Sequence, residues 1–309
     1  MDLKEARYIL TIAEYRNIGK AAESLFISQP SLSKYLKNLE QQLGAPLFSR
    51  INNTYVPTYM GERYLHYAAQ IAALGEQWQR EYDDITHHAS GRLGIAVPIM
   101  LGSVLIHPTL SLFHKQYPNV TINVMEENNF VAEHSLEDHS IDLTFYNVHE
   151  FPKNLDYEIL KTEELVLILA EDHPISIEAV EKPGFSYPWL DLKLLEKEPF
   201  ILLYPDQNTG ILALKLFDQY GIQPEVLLHT RSSQMSIQLA MDGMGAAFAP
   251  AGYYHYLAKH RPDHPHCYSI GTEPVRNTVI AAYDPKRYLP QYARDYIELL
   301  KDYCSKEPQ

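Results

Sequence analysis

Hydrophobic positions change their period along the chain, and the change marks its divisions. Leu32, Leu36, Leu39 and Leu43 recur every three or four residues, which places them on one face of a helix. At about 100° of rotation per residue the other side carries Pro30, Lys34, Lys37, Asn38 and Gln41, flanked by Gln29 and Ser33, and is polar and cationic. Ser28 is a good N-cap, Pro30 sits in the first turn where its missing N–H does no harm, and Ile27 with Leu32 suits a hydrophobic staple. Upstream, Ala21, Ala22 and Leu25 form a short face of small residues that can lie close beneath the second helix. The stretch Gly19–Arg50 therefore predicts a helix-turn-helix. Asp2 and Glu5 form a capping box for a helix from Leu3 to about Tyr15, whose Leu3, Leu10 and Ala13 can cover the pair. Asn52 and Asn53, between Leu47–Arg50 and Tyr55–Pro57, predict a tight hairpin, the wing.

From Thr58 to about His88 the period is helical over many turns. Tyr64, Tyr67, Ile71, Leu74, Trp78, Tyr82 and Ile85 make an aromatic seam of coiled-coil spacing. Ala89-Ser90-Gly91 breaks it. Beyond the break short apolar runs alternate with helical ones: strands Leu93–Val97, Val120–Glu126 and Ile141–Phe145, with helices near Ser103–Tyr117 and Val131–Glu137. Leu165–Ala170 is a strongly apolar strand, and the stretch from Pro174 to Pro188 reads as a long loop. Strand, helix, strand, helix, strand then follow at Phe200–Tyr204, Gly210–Tyr220, Val226–Thr230, Ser233–Met241 and Ala246–Ala249. A strand at Thr278–Tyr283 and a helix from about Leu289 to Cys304 close the chain. The order is α/β throughout this part, in two similar lobes.

The run AAESLFISQPSLSKYLKNLEQQLGAPLFSR resembles the signature of LysR-type transcriptional regulators. The resemblance implies a winged helix-turn-helix DNA-binding domain over residues 1–58, a linker (dimerisation) helix over 59–89, and an effector-binding domain over 90–309. That last domain is then built of two doubly wound α/β lobes, like a periplasmic binding protein: lobe 1 about 90–165 and 271–309, lobe 2 about 166–270. It also implies a homodimer or homotetramer paired through the linker helix.

In the predicted recognition helix, Gln29, Pro30, Ser31, Ser33 and Asn38 are placed to reach base edges, and Lys34 and Lys37 phosphates or guanine, with Arg50 at the wing. The chain holds 26 Lys and Arg against 39 Asp and Glu, a net charge of −13, which excludes a surface that binds nucleic acid throughout. Residues 1–58 alone carry seven basic and five acidic side chains, whereas 91–309 carry 17 and 29. Contact with double-stranded DNA is therefore expected from a small N-terminal patch, used in two copies. Neither an apolar run after a basic start nor an apolar stretch of 18 residues occurs, so the protein is expected in the cytoplasm with no membrane contact.

Ligands in open α/β sheets settle at the carboxyl ends of strands, against helix starts. Between two lobes that rule selects Pro98, Met100 and Ser103 in the first loop and Asn128 in the second. Tyr146, Asn147 and Tyr204 follow strands at the same edge, and Asn208, Thr209, Ser232 and Ser233 belong to the other lobe. By the resemblance these loops line the pocket of a small-molecule effector and hold a carboxylate or other anion. The amide-rich Asp206-Gln207-Asn208-Thr209-Gly210 and the apolar Met100 and Leu101 depart from the family's usual loops and suit a simple dicarboxylate less well.

Cys267 and Cys304 stand 37 residues apart, in no redox or metal spacing, and read as two unrelated reduced thiols. His255, His260, His264, His266 and Cys267 fit no common zinc pattern; with Pro262 and Pro265 among them they read as surface residues of an exposed loop. No metal or cofactor is expected. No G-x-S-x-G, P-loop or H-E-x-x-H occurs, and Gly243-Met244-Gly245 lacks the dinucleotide pattern, so an enzyme is the weaker reading. A plain solute-binding protein matches the lobes but leaves the N-terminal module without a use.

Overall fold

Capping sets the first turn of the chain. In a computed structural model that describes residues 1–52, 54–87, 90–127, 129–137, 140–148, 150–259 and 266–306, α1 (Leu3–Tyr15) opens on Asp2, whose carboxylate accepts the Glu5 N–H at 2.7 Å. Glu5 does not complete the expected box. Its carboxylate instead accepts the hydroxyls of Tyr64 and, at 3.4 Å, Tyr35. The chain divides into two units, Met1–Thr86 and His87–Gln309.

In the first unit, Asn17 caps α2 (Ile18–Ser24) by accepting the N–H groups of Gly19 and Lys20. Phe26 takes a left-handed backbone, φ 55°, to turn the chain into α3 (Gln29–Leu43). Ile9, Ile12, Ala21, Ala22, Leu32, Leu36 and Leu39 bury the three helices against one another, each large side chain contributing about 1.5–3 kcal/mol. Glu40 accepts the N–H groups of Leu47 (2.7 Å) and Phe48 (3.2 Å), which fixes where the wing leaves the core. The wing pairs β1 (Phe48–Ile51) with β2 (Thr54–Pro57), and Asn52 takes the expected left-handed conformation. Asn53 lies outside the described residues. Then α4 runs from Tyr59 to His87, started by Thr58, whose hydroxyl accepts the Gly61 N–H at 3.0 Å. Tyr64 and Ala68 are buried in the helix-turn-helix core, with Ile71 packed against it. The exposed seam therefore begins later than its spacing suggests, with Tyr67, Leu74, Trp78 and Tyr82. The Ile85 side chain lies outside what is described.

The second unit begins with β3 (Ser90–Pro98), which leads into α5 (Ile99–Leu101), a π-helical turn (Gly102–Ile106) and α6 (His107–Gln116). The wide turn relieves Pro108, which offers no N–H to the turn before it. Next come β4 (Asn119–Glu127), α7 (Asn129–His134) and β5 (Leu143–Val148). β6 spans Asp156–Leu169 and is longer than its apolar end predicts. Its charged first half pairs with β11 (Arg276–Tyr283), and its apolar second half with β9 (Ala247–Pro250) and β10 (His266–Tyr268). One strand thus belongs to both lobes. The sheet order is β10-β6-β11-β5-β3-β4, with β9 also on β6.

The second lobe adds β7 (Pro199–Leu203), α8 (Asn208–Tyr220), β8 (Glu225–Thr230) and α9 (Ser233–Met241), with β7 joined to the Ala246 backbone at 2.8 Å. Phe200, Phe217 and Phe248 centre its core, their rings 4.9–5.7 Å apart. The expected loop from Pro174 to Pro188 is partly structured: a 3-10 turn covers Pro174–Glu178, and Val180 and Trp189 exchange backbone bonds. Tyr253 and His255 lie on α10 (Ala251–Ala258) and His266 and Cys267 on β10, so His255, His266 and Cys267 belong to a helix and a strand and not to the expected exposed loop. His260 and His264 lie outside the described residues. The last helix, α11, spans Gln291–Lys306.

Candidate functional site

The outer face of α3 is polar and open. Gln29, Pro30, Ser31, Ser33, Lys34, Lys37 and Asn38 are all exposed, while Leu32, Leu36 and Leu39 between them are buried. Helical spacing alone produces this sorting, because the leucines satisfy the core and leave the intervening positions outward. Arg50 is exposed on β1, its guanidinium 6.0 Å from the Tyr55 ring centroid. The exposed first turn of α3 together with Lys34 and Lys37 is what a major-groove reader requires.

The second unit holds a cavity of about 330 Å³ between its lobes. Lobe 1 supplies Pro98, Ile99, Met100 and Ser103 from the start of the first helix, Glu127 from the end of β4, and Asn147 from β5. Lobe 2 supplies Leu203, Gln207, Asn208 and Thr209 from the β7–α8 junction, and Arg231, Ser232, Ser233 and Gln234 from the start of α9. Tyr253 of α10 closes the floor. Gly210 permits this junction, since a Cβ there would meet the Tyr204 carbonyl oxygen at 2.2 Å. Ser232 caps α9 by accepting the Met235 N–H at 3.1 Å, whereas α8 starts without a side-chain cap. At the rim Arg231 bonds Asp206 at 2.8 Å and lies 4.8 Å over the Tyr204 ring. The hydrogen bond from Arg231 holds the Asp206 carboxyl below its ordinary range.

A chain of buried amides runs along the cavity wall. Asn208 Nδ2 donates to Asn277 Oδ1 (2.8 Å), Asn277 Nδ2 to Asn147 Oδ1 (2.8 Å), and Asn147 Nδ2 to the Tyr253 hydroxyl (2.9 Å). It joins lobe 2, a crossing strand and lobe 1.

Residues 3–62 match the family described as "Bacterial regulatory helix-turn-helix protein, lysR family", and residues 86–305 match "LysR substrate binding domain". The chain belongs to the LysR family of transcriptional regulators. It is a DNA-binding transcriptional regulator with an effector-binding domain. A probable RuBisCO transcriptional regulator of Thalassiosira pseudonana is 32% identical over 253 residues, 80% of each chain. Full-length OxyR of Pseudomonas aeruginosa, solved as a cysteine-to-aspartate variant, shares the fold with a TM-score of 0.69 at 22% identity, over 99% of this chain and 95% of that one. CbnR, solved in complex with its target DNA, gives 0.61 at 20% identity over 98% and 99%.

Within this LysR-family cleft, Pro98, Met100, Ser103, Asn208, Thr209, Ser232 and Ser233 line the cavity where the strand-end rule puts them. Tyr146 does not. It points to the opposite face of the sheet and packs with Val148, Ile280 and Ala282, because side chains alternate along β5 and its neighbour Asn147 takes the cleft side. Tyr204 stands outside the lining, under Arg231. Asn128 lies outside the described residues. Glu127, Arg231, Tyr253 and Asn277 were not singled out by the sequence. Glu127 and Arg231 adjoin Asn128 and Ser232 in the chain; Tyr253 and Asn277 carry no local signal, since only the tertiary fold brings them there. Among the described residues no group of three His, Cys, Asp or Glu side chains is disposed to hold a metal, and no helix is long and apolar enough to cross a membrane.

Proposed function

We propose that this regulator reads DNA through the outer face of α3, with Gln29, Pro30, Ser31, Ser33 and Asn38 at base edges and Lys34, Lys37 and Arg50 at phosphates or guanine. Two protomers paired along α4 through Tyr67, Leu74, Trp78 and Tyr82 present two such helices to two half-sites, as dimers or pairs of dimers. A small molecule in the cleft of the second unit sets the activity. The cavity's composition supports this: both lobes contribute to one wall, so a ligand there favours one lobe arrangement over another. Pro98, Ile99, Met100 and Leu203 offer it an apolar bed, and the uncapped start of α8 offers backbone donors. The protein works as a binding regulator rather than an enzyme, in the cytoplasm where its DNA is.

The test is a thermal-shift screen of small metabolites on the full chain, followed by DNA retardation and bending with the hits. A ligand of the native state raises the melting midpoint and changes DNA affinity or bend angle. Hits that leave both unchanged would contradict effector control.

A further inference from the structure

The amide chain along the cleft wall has a direction. Asn208, Asn277 and Asn147 each donate to the next acceptor in the same sense, and the last donor reaches the Tyr253 hydroxyl. All four are buried; Asn277 is 0% exposed and does not line the cavity, whereas the other three do. A phenol that accepts one hydrogen bond still has its own proton to give. No second partner of the Tyr253 hydroxyl stands among the described residues, and its ring forms part of the cavity wall. Burial holds this phenol far above its ordinary pKa, so it remains a protonated donor at physiological pH. A buried donor left unpaired costs free energy that an acceptor placed by a ligand recovers.

We infer that Tyr253 is a fixed hydrogen-bond donor into the cleft, that the effector presents an acceptor oxygen (carbonyl or carboxylate) to it, and that Asn277 is the positioning residue that sets this polarity. The inference rests on the cleft being the effector site. Asn277 lies on β11, which pairs with both β5 and β6, and its two bonds tie Asn147 of lobe 1 to Asn208 of lobe 2. The same residue therefore orients the donor and joins the walls that the ligand touches.

The experiment uses the full chain with asparagine side chains labelled with nitrogen-15, and two neutral probes of one shape: acetophenone, which has a carbonyl acceptor, and α-methylstyrene, which has none. Without ligand, Tyr253→Phe is expected to shift the Asn147 side-chain N–H signals upfield as they lose their acceptor, leaving those of Asn208 in place. Wild-type protein is expected to bind the ketone about tenfold more tightly than the hydrocarbon, the ratio for one net hydrogen bond of about 1.4 kcal/mol. Tyr253→Phe reduces that ratio to about one. Asn277→Asp offers acceptors on both sides, obliges Asn147 to turn its Nδ2 inward, and leaves its Oδ1 to take the Tyr253 proton; the preference disappears although no lining residue has changed. Circular dichroism and the melting midpoint confirm that this variant is folded, and Tyr253→Phe decides the matter if it is not. Equal binding of the two probes by wild type, or unmoved Asn147 signals in Tyr253→Phe, would overturn the donor assignment while the cleft stands. Expected Asn147 shifts with neither probe bound would instead remove the cleft as a site for such molecules, and the acceptor assignment with it.

Discussion

Tyr64, in the second turn of the long α4 helix, donates its hydroxyl to the carboxylate of Glu5 on α1. Residues far apart in sequence are joined in the core of the first unit, and the hydroxyl is driven above its ordinary pKa, first by burial and then by the Glu5 bond. The long helix is thereby anchored to the helix-turn-helix before its exposed part begins. Tyr64→Phe is expected to leave Glu5 short of a partner and lower stability by about 1–2 kcal/mol. For a unit of this size each kcal/mol shifts the melting midpoint by roughly 4–8 °C. Tyr59→Phe, 80% exposed at the start of α4 and outside the pairing stripe, is the control and should leave the midpoint unchanged.

Lys34 is exposed on the outer face of α3, beside Ser33 and one turn before Lys37 and Asn38. If it meets a phosphate, Lys34→Ala weakens binding about equally for all DNA sequences and reduces the slope of log affinity against log salt by about one per protomer. If it meets guanine, the loss of about 1–3 kcal/mol falls on the specific site alone. Retardation titrations at several salt concentrations separate the two cases, and an unchanged affinity would take this face out of the interface.

Cys267 is buried on β10 and its thiol is pushed up to about 12, chiefly by burial. A thiol whose folded pKa is raised contributes stability that is complete below the unfolded value, here 9.0, and is lost as pH climbs above it. Melting midpoints should accordingly fall as pH rises from 9.0 toward about 12, and Cys267→Ala should flatten that limb. Iodoacetamide at pH 8 is expected to modify the partly exposed Cys304 well before Cys267. Equal labelling rates would contradict the burial of Cys267.

Most elements were legible because each has its own periodicity. Leucines at helical spacing defined α3, Asn52 the wing turn, and alternating apolar runs the strands of both lobes. Two features were not. The first half of β6, Asp156–Glu164, is charged and predicts no element of its own, since its pairing with β11 comes from residues more than a hundred positions away. Tyr64 fits the coiled-coil spacing as well as Tyr67 does, and only its partner Glu5 separates core from seam. In the cleft, the strand-end rule selects Tyr146 and Asn147 alike, and the pleat separates them: a one-residue alternation sends Asn147 to the ligand side and Tyr146 to the opposite face. Asn277 could not be found from sequence, because nothing near it in the chain belongs to the cavity wall.

The exposed stripe of α4 carries the claim that two weakly basic modules bind together. Leu74 and Trp78 are 66% and 61% exposed, unusual for such side chains on a polar helix. The most direct measurement compares wild type, Lys34→Ala and Trp78→Glu for binding to the gene's own upstream region at one salt concentration, with sedimentation of each. Trp78→Glu is expected to dissociate the dimer and to lose DNA affinity at least as severely as Lys34→Ala, because it removes the second module's effective concentration. A Trp78→Glu protein that stays dimeric and binds like wild type would contradict pairing through this helix.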